Sequence, residues 1–226
     1  MKERKLHQKH NKGECMITVI GSLKGGSGKS TVTFNLAVWL EMAEAEVLVV
    51  DADPQATLSD VSEVRTEEGY EPFLNLKDAS ALSRKKLRGY DEVLIDVGTS
   101  DIDAMKLALA LADRVVIPVP PSQADIWSTQ RFISFLDEAV DGERPELLTF
   151  INRADTHHAI RESDEAAAAL VSLPDVEFIK YRLCQRTVFR RSFSEGLAVY
   201  ELDPRGKGSK EFYALTAALY PNYISH

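Results

Sequence analysis

Leu23-Lys24-Gly25-Gly26-Ser27-Gly28-Lys29-Ser30-Thr31 follows the apolar run at residues 16–20 and opens a helical stretch at residues 29–43. Gly25, Gly26 and Gly28 allow backbone N–H groups to close around phosphate oxygens, and a helix starting at Lys29 adds the favourable partial charge of its N-terminus. Lys29 is spaced to reach terminal phosphates, and the Ser30 hydroxyl to help hold Mg²⁺. Spacing, residue types and strand–loop–helix context agree, which separates this loop from a chance glycine-rich turn.

Outward from the loop, short apolar runs alternate with helical stretches. Strands are expected at residues 16–20, 47–50, 93–95, 114–119, 147–151 and 176–179. Helices are expected at 29–43, 103–111, 126–140 and 162–173, and near the end at 189–195 and 209–220. The alternation implies βαβ units, and the continuous Val/Ile/Leu runs imply strands covered on both faces. The fold predicted is α/β: a doubly wound, mainly parallel sheet with helices on both sides. Trp39, Trp127, Phe132 and Phe135 fall at helical spacings and read as core residues. Residues 65–90 are polar and read as irregular structure with one short helix. No repeat or linker is visible, so residues 15–226 read as a single domain behind a basic, flexible tail at 1–14.

The 226 residues are 44% hydrophobic and 27% charged, as in an ordinary soluble protein. No apolar run approaches the roughly 20 residues of a membrane-spanning helix, and no apolar stretch follows the basic start to make a signal peptide. Cys15 and Cys184 are too few for a disulfide framework, so a reduced, cytoplasmic setting is expected. The net charge of −8 hides an asymmetry. Residues 1–12 carry +4 and residues 180–210 carry +5, leaving −17 for the remainder. An acidic body with two basic segments points to a localised polyanion contact.

The loop departs from the common phosphate-binding form, because Leu23 stands where the first glycine is usual and Lys24 opens the loop. With this additional lysine the chain resembles the ParA/MinD family of deviant-Walker ATPases. The resemblance implies an ATP-dependent sandwich dimer in which Lys24 reaches across to the partner's phosphates and neutralises charge during hydrolysis. The strand-end Asp51-Ala52-Asp53-Pro54-Gln55 is similar to the family's second motif. By resemblance Asp51 supports the Mg²⁺/Lys29 region and Asp53 orients the attacking water. Residues 90–96 resemble the Walker B strand, whose Asp96 holds Mg²⁺; Ser30, Asp51 and Asp96 are the metal-site residues implied. Where many members continue with two prolines, this chain has Val97-Gly98-Thr99-Ser100-Asp101.

Residues 116–127, with Pro121-Ser122-Gln123 and Asp125, resemble the plasmid-type ParA segment that contacts nucleotide and partner protomer. Asn152-Arg153-Ala154-Asp155 echoes a guanine-reading motif with Arg153 in place of lysine. The other motifs favour ATP, with Asn152 as the implied adenine contact and Arg153 beside it. Nucleotide contacts are thus expected from Lys24 through Thr31, from Asn152 and from Arg153. Residues 182–196 resemble the ParA segment that touches DNA without reading sequence. Arg182, Arg186, Arg190 and Arg191, extended by Lys207 and Lys210, are the expected phosphate contacts. If this stretch is helical, Arg182, Arg186 and Arg190 share a face.

The resemblance implies a nucleoid-associated partition ATPase using ATP and Mg²⁺. Its ATP dimer grips duplex DNA non-specifically, and a ParB-like adaptor stimulates hydrolysis. A ParA-like positioner of a protein cargo keeps all the same chemistry. A MinD-like membrane regulator is expected to end in a cationic amphipathic helix, and residues 211–226 contain no Lys or Arg. No membrane partner is therefore expected.

Overall fold

Side chains along the strands alternate between two cores, and that alternation builds the molecule. In the computed structural model, which describes residues 15–156 and 161–224, seven strands form one wholly parallel sheet. They are β1 (Met16–Ile20), β2 (Val47–Ala52), β3 (Leu76–Asp78), β4 (Glu92–Val97), β5 (Arg114–Val119), β6 (Glu146–Ile151) and β7 (Glu177–Ile179), in the order β3-β2-β4-β1-β5-β6-β7. Val19, Val50, Ile95 and Ile117 point to one face, while Ile20, Val49, Leu94 and Val116 point to the other. On the first face they meet α3 (Ile102–Leu111), α4 (Gln123–Ala139) and α5 (Glu162–Val171). On the second they meet α1 (Lys29–Met42), α2 (Thr57–Glu67), α7 (Val199–Leu202) and α8 (Lys207–Leu219), with α6 (Thr187–Ser194) alongside. The basic tail expected at 1–14 lies outside the described residues. Among the described residues, no helix is long and apolar enough to cross a membrane.

The doubly wound parallel sheet matches the sequence expectation, and each expected strand lies within two residues of an observed one. Residues 65–90 differ. They contain the end of α2, the edge strand β3 and a 3-10 turn at Ala79–Ala81. Trp127 also differs: it is 54% exposed, whereas Phe132 is fully buried. Five residues advance a helix by about 140°, so the two rings on α4 point in different directions.

All strands being parallel, their C-terminal ends converge on one edge, where open α/β sheets hold their ligands. Pairing of Ile20 with Asp96, and of Asp96 with Asp51, sets the ends of β1, β4 and β2 side by side there.

Two polar clamps fix the helices of the second face. Arg65, 1% exposed, donates from Nε to Pro72 O at 2.9 Å, from Nη1 to Gly196 O at 3.0 Å and from Nη2 to Glu71 O at 2.8 Å. It also makes a two-pronged pair with Glu201 at 2.8 and 2.9 Å. The Asn35 carboxamide oxygen accepts from Val199 N at 2.7 Å, which ties α1 to α7.

Candidate nucleotide site

The loop between β1 and α1 is held open by glycine backbone. Gly26 (φ 77°) and Gly28 (φ 93°) take left-handed conformations, and Gly28 caps α1 with no side chain over its first N–H groups. A helix start left uncapped by side chains is what an anion site requires. Ser22 Oγ reaches Lys24 O at 3.1 Å and Ser27 Oγ at 2.9 Å, which ties the loop to the end of β1. Asn152, at the end of β6, donates its amide to Ser27 O at 2.6 Å.

Lys29 is 7% exposed, with its ammonium 3.4 Å from Ser22 Oγ. Burial lowers its pKa, and the charges of Asp96 and Asp53 pull the other way. Asp96 is fully buried at the end of β4, and neither carboxylate oxygen has a hydrogen-bond partner. Burial raises its pKa to about 7, while the neighbouring Ser30 hydroxyl and Lys29 ammonium favour the ionised form. Two orphaned oxygens beside a serine hydroxyl and a glycine cradle fit a divalent cation shared with phosphate.

Asp51 is engaged differently. Its Oδ2 accepts from Ser59 N at 2.9 Å and Ser59 Oγ at 2.7 Å, and its Oδ1 from Asp53 N at 3.2 Å. These bonds make Asp51 the anchor of the Asp53 turn and of α2, whereas Asp96 keeps its oxygens free. Asp53 is half-buried, with Oδ1 accepting from Gln55 N at 3.0 Å. A Cβ at residue 98 would lie 2.6 Å from Asp53 Cγ, so Gly98 permits this approach.

Lys24 is 47% exposed and pairs at 2.8 Å with Asp125, which is 7% exposed. Asp125 takes a short hydrogen bond from Ser122 Oγ, and Ser122 Oγ in turn caps α4 by accepting from Asp125 N at 3.2 Å. The cap is thus Ser122. The proline-stiffened segment spaces Asp125 to receive the loop lysine, a pairing that linear spacing did not disclose.

Lys24, Gly25, Gly26, Pro121, Asp125 and Arg153 line a cleft of about 670 Å³ with Asp155, Thr156 and Gln185. Arg153 reaches it through a left-handed backbone, φ 56°. Asn152 is buried beside the cleft, with its amide on the loop at Ser27 O. Thr31 is half-buried on the first turn of α1 and gives its carbonyl to Asn35 Nδ2 at 2.8 Å.

The expected DNA-contact face is rearranged. Residues 180–186 are not helical, and Arg186 is the residue before α6, so Arg182, Arg186 and Arg190 do not share a helical face. Arg186 pairs with Glu211 at 2.6 Å, Arg182 with Asp164 at 3.0 Å and Arg191 with Glu195 at 2.8 Å. Arg190, Lys207 and Lys210 are exposed and form no ion pair among the described residues.

Comparison with known proteins agrees with this geometry. Residues 18–199 match the model of the CobQ/CobB/MinD/ParA nucleotide binding domain. The "Maintenance of carboxysome distribution protein A" of Gloeobacter kilaueensis is 31% identical over 83% of this chain and 84% of its own length. The protein of the same name from Halothiobacillus neapolitanus is 25% identical over 88% and 93%. Among solved structures, a putative plasmid partition protein of Borrelia burgdorferi bound to AMPPNP superposes with a TM-score of 0.71. It is 20% identical, covering 92% of this chain and all of that one. With Lys24 opening the loop, Lys29 buried behind it and Asp96 on the adjacent strand end, the chain belongs to the CobQ/CobB/MinD/ParA family of nucleotide-binding domains, the family of the ParA/MinD ATPases.

Proposed function

We propose that this protein is a Mg²⁺-dependent ATPase that positions a cargo by cycling between a DNA-bound ATP dimer and a released monomer. The observation carrying the proposal is the pairing of two differently placed lysines around one phosphate loop. Lys29 is buried and committed to the nucleotide of its own protomer. Lys24 is half-exposed at the cleft mouth, on a carboxylate from which it can swing.

Gly25 to Thr31 cradle the phosphates, and Arg153 borders the cleft that receives the rest of the nucleotide. Ser30 and Asp96 hold Mg²⁺, with Asp51 acting through the Asp53 turn. Bound Mg²⁺ would supply charge neutralisation at the phosphates. Asp53 orients the water that attacks, at a carboxylate held by Gln55 N and by close packing on Gly98. Lys24, released from Asp125, offers its ammonium to the phosphates of the partner protomer. Arg190, Lys207 and Lys210 make sequence-independent contacts with DNA phosphates, which two joined protomers present twice.

A protein assembly is the cargo favoured, because both carboxysome-distribution relatives match over more than four fifths of this chain. Plasmid partition is the second reading, favoured by the AMPPNP-bound neighbour's description. In either case an adaptor protein that touches the dimer and speeds hydrolysis couples cargo to cycle, in the cytoplasm and on the nucleoid.

Two variants test the chemistry. Asp53→Ala should bind ATP, fall at least about 100-fold in turnover and accumulate as a dimer in light scattering. Lys24→Ala should bind ATP yet stay monomeric. Wild-type turnover in the first, or an ATP dimer with normal hydrolysis in the second, would remove that residue from its role.

A further inference from the structure

The segment joining β3 to β4 carries a second basic surface, apart from the one on α6 and α8. Residues 77–88 hold Lys77, Arg84, Lys85, Lys86 and Arg88 against one carboxylate, Asp78. The chain turns tightly here, with Lys86 N and Leu87 N both donating to Ser83 O at 2.9 and 3.1 Å. Leu82 and Leu87 are buried in the core, and pinning them inward turns Arg84, Lys85, Lys86 and Arg88 out to solvent. Lys86 is steadied by Ser80 O at 2.7 Å. Among the described residues, none of these cations is paired with a carboxylate, whereas Arg182, Arg186 and Arg191 each have one within 3.0 Å.

The position of the turn separates it from the nucleotide chemistry. Cys15 Sγ donates to Leu87 O at 3.2 Å and Met16 N to Asp91 O at 3.1 Å, so the turn sits where β1 and β4 begin. That is the edge of the sheet opposite the phosphate loop. Exposed like charges crowded on one turn repel one another, and Asp78, near Lys77 and Lys86, offsets them only in part.

We propose that the basic turn at residues 84–88 is a second, nucleotide-independent contact for the backbone phosphates of duplex DNA. It rests on the DNA association proposed above and adds a surface to it. Between residues 77 and 90 no large apolar side chain is exposed. A segment that lies on a lipid surface joins its basic residues to an exposed apolar face, which this turn lacks. The cations stand on a short turn and not on a helix or ribbon that could enter the major groove, so they meet backbone phosphates and are indifferent to sequence. Because the turn lies far from the phosphate loop, its contribution is present with ATP, with ADP and with no nucleotide.

The test is fluorescence anisotropy of the full chain on a labelled random-sequence duplex, across a salt series, in all three nucleotide states. Each phosphate contact removed reduces the slope of log K against log salt by about 0.9. The variant Arg84→Ala/Lys85→Ala/Arg88→Ala should therefore lose about two to three units of slope in every state, and about tenfold or more in affinity at low salt. Its ATP turnover should be unchanged. The charge-conserving Arg84→Lys/Arg88→Lys should bind as the wild type does, which sets aside an effect through folding. A wild-type slope in the triple variant overturns this surface alone. A wild-type protein that ignores duplex in every state overturns it together with the DNA association. Tighter binding of phosphatidylserine vesicles than of duplex, lost in the triple variant, overturns it in favour of a membrane.

Discussion

Lys29→Ala should lose at least about 100-fold in ATP affinity, because a buried ammonium aimed at phosphate is worth on the order of 3 kcal/mol or more. The nucleotide-free protein should lose little stability in the same variant. Burying that ammonium opposes its charge, and Asp96, with a pKa of about 7, takes up a proton when its neighbour is removed. The signature is therefore a split. The thermal midpoint without ligand stays near wild type, while the rise in midpoint on adding ATP disappears. Calorimetric titration checks the first half and a melting scan the second. Unchanged ATP affinity would contradict the assignment of the loop.

Arg65→Ala is expected to be the most damaging substitution outside the site. It removes five hydrogen bonds at once and leaves Glu201, whose side chain is 18% exposed, facing unpaired carbonyls. Breaking one side of such a buried pair costs about 3–5 kcal/mol. At about 2–4 °C per kcal/mol for a chain of this size, the melting temperature should fall on the order of 10 °C. Arg65 ends the buried face of α2, and Ser59 near its start is bonded to Asp51. Loosening this helix should also raise the KM for ATP. A shift under about 2 °C would show that the clamp is not holding α2 to α7.

Much of this architecture was legible in the sequence because parallel strands advertise themselves. Val47 to Val50 and Val93 to Ile95 are buried on both faces, so they read as unbroken apolar runs. The phosphate loop was legible for a different reason: its glycines, lysines and following helix each have a separate physical necessity. Helix α2 was missed because its inward face is Leu58, Val61, Ser62 and Arg65, in which only two of four side chains are apolar. Arg65 is fully satisfied in the interior, and no spacing rule marks an arginine as core. β3 is three residues at a sheet edge, one side of each side chain open to solvent, too short for a period to show.

The site followed the same division. Lys29, Ser30 and Asp96 converge as the motifs implied, whereas Asn152 supports the loop and Arg153 lines the cleft. The arginine patch was the least legible part. Glu211 lies 25 residues beyond Arg186, and Asp164 lies 18 before Arg182, so neither pair has a helical signature. Arg191 on α6 and Glu195 just past its end do stand four apart, the one pairing that spacing announces. On that face Arg190, Lys207 and Lys210 form no ion pair among the described residues, and the proposed DNA contact rests on these three.

That smaller set sharpens the central claim, which is that nucleotide state governs the grip on DNA. On this face three phosphate contacts bind weakly at physiological salt, and six on a joined surface bind far more tightly because they act together, over the constant contribution of the turn at 84–88. The direct measurement is the affinity of the wild-type protein for random duplex with ATP, with ADP and without nucleotide, beside Arg190→Ala/Lys207→Ala/Lys210→Ala. The account predicts that ATP raises affinity about tenfold or more over the other two states, that added salt erodes the gain, and that the triple variant loses it while still dimerising and hydrolysing ATP. Equal affinity in all three states, in a protein that nonetheless dimerises with ATP, would contradict it.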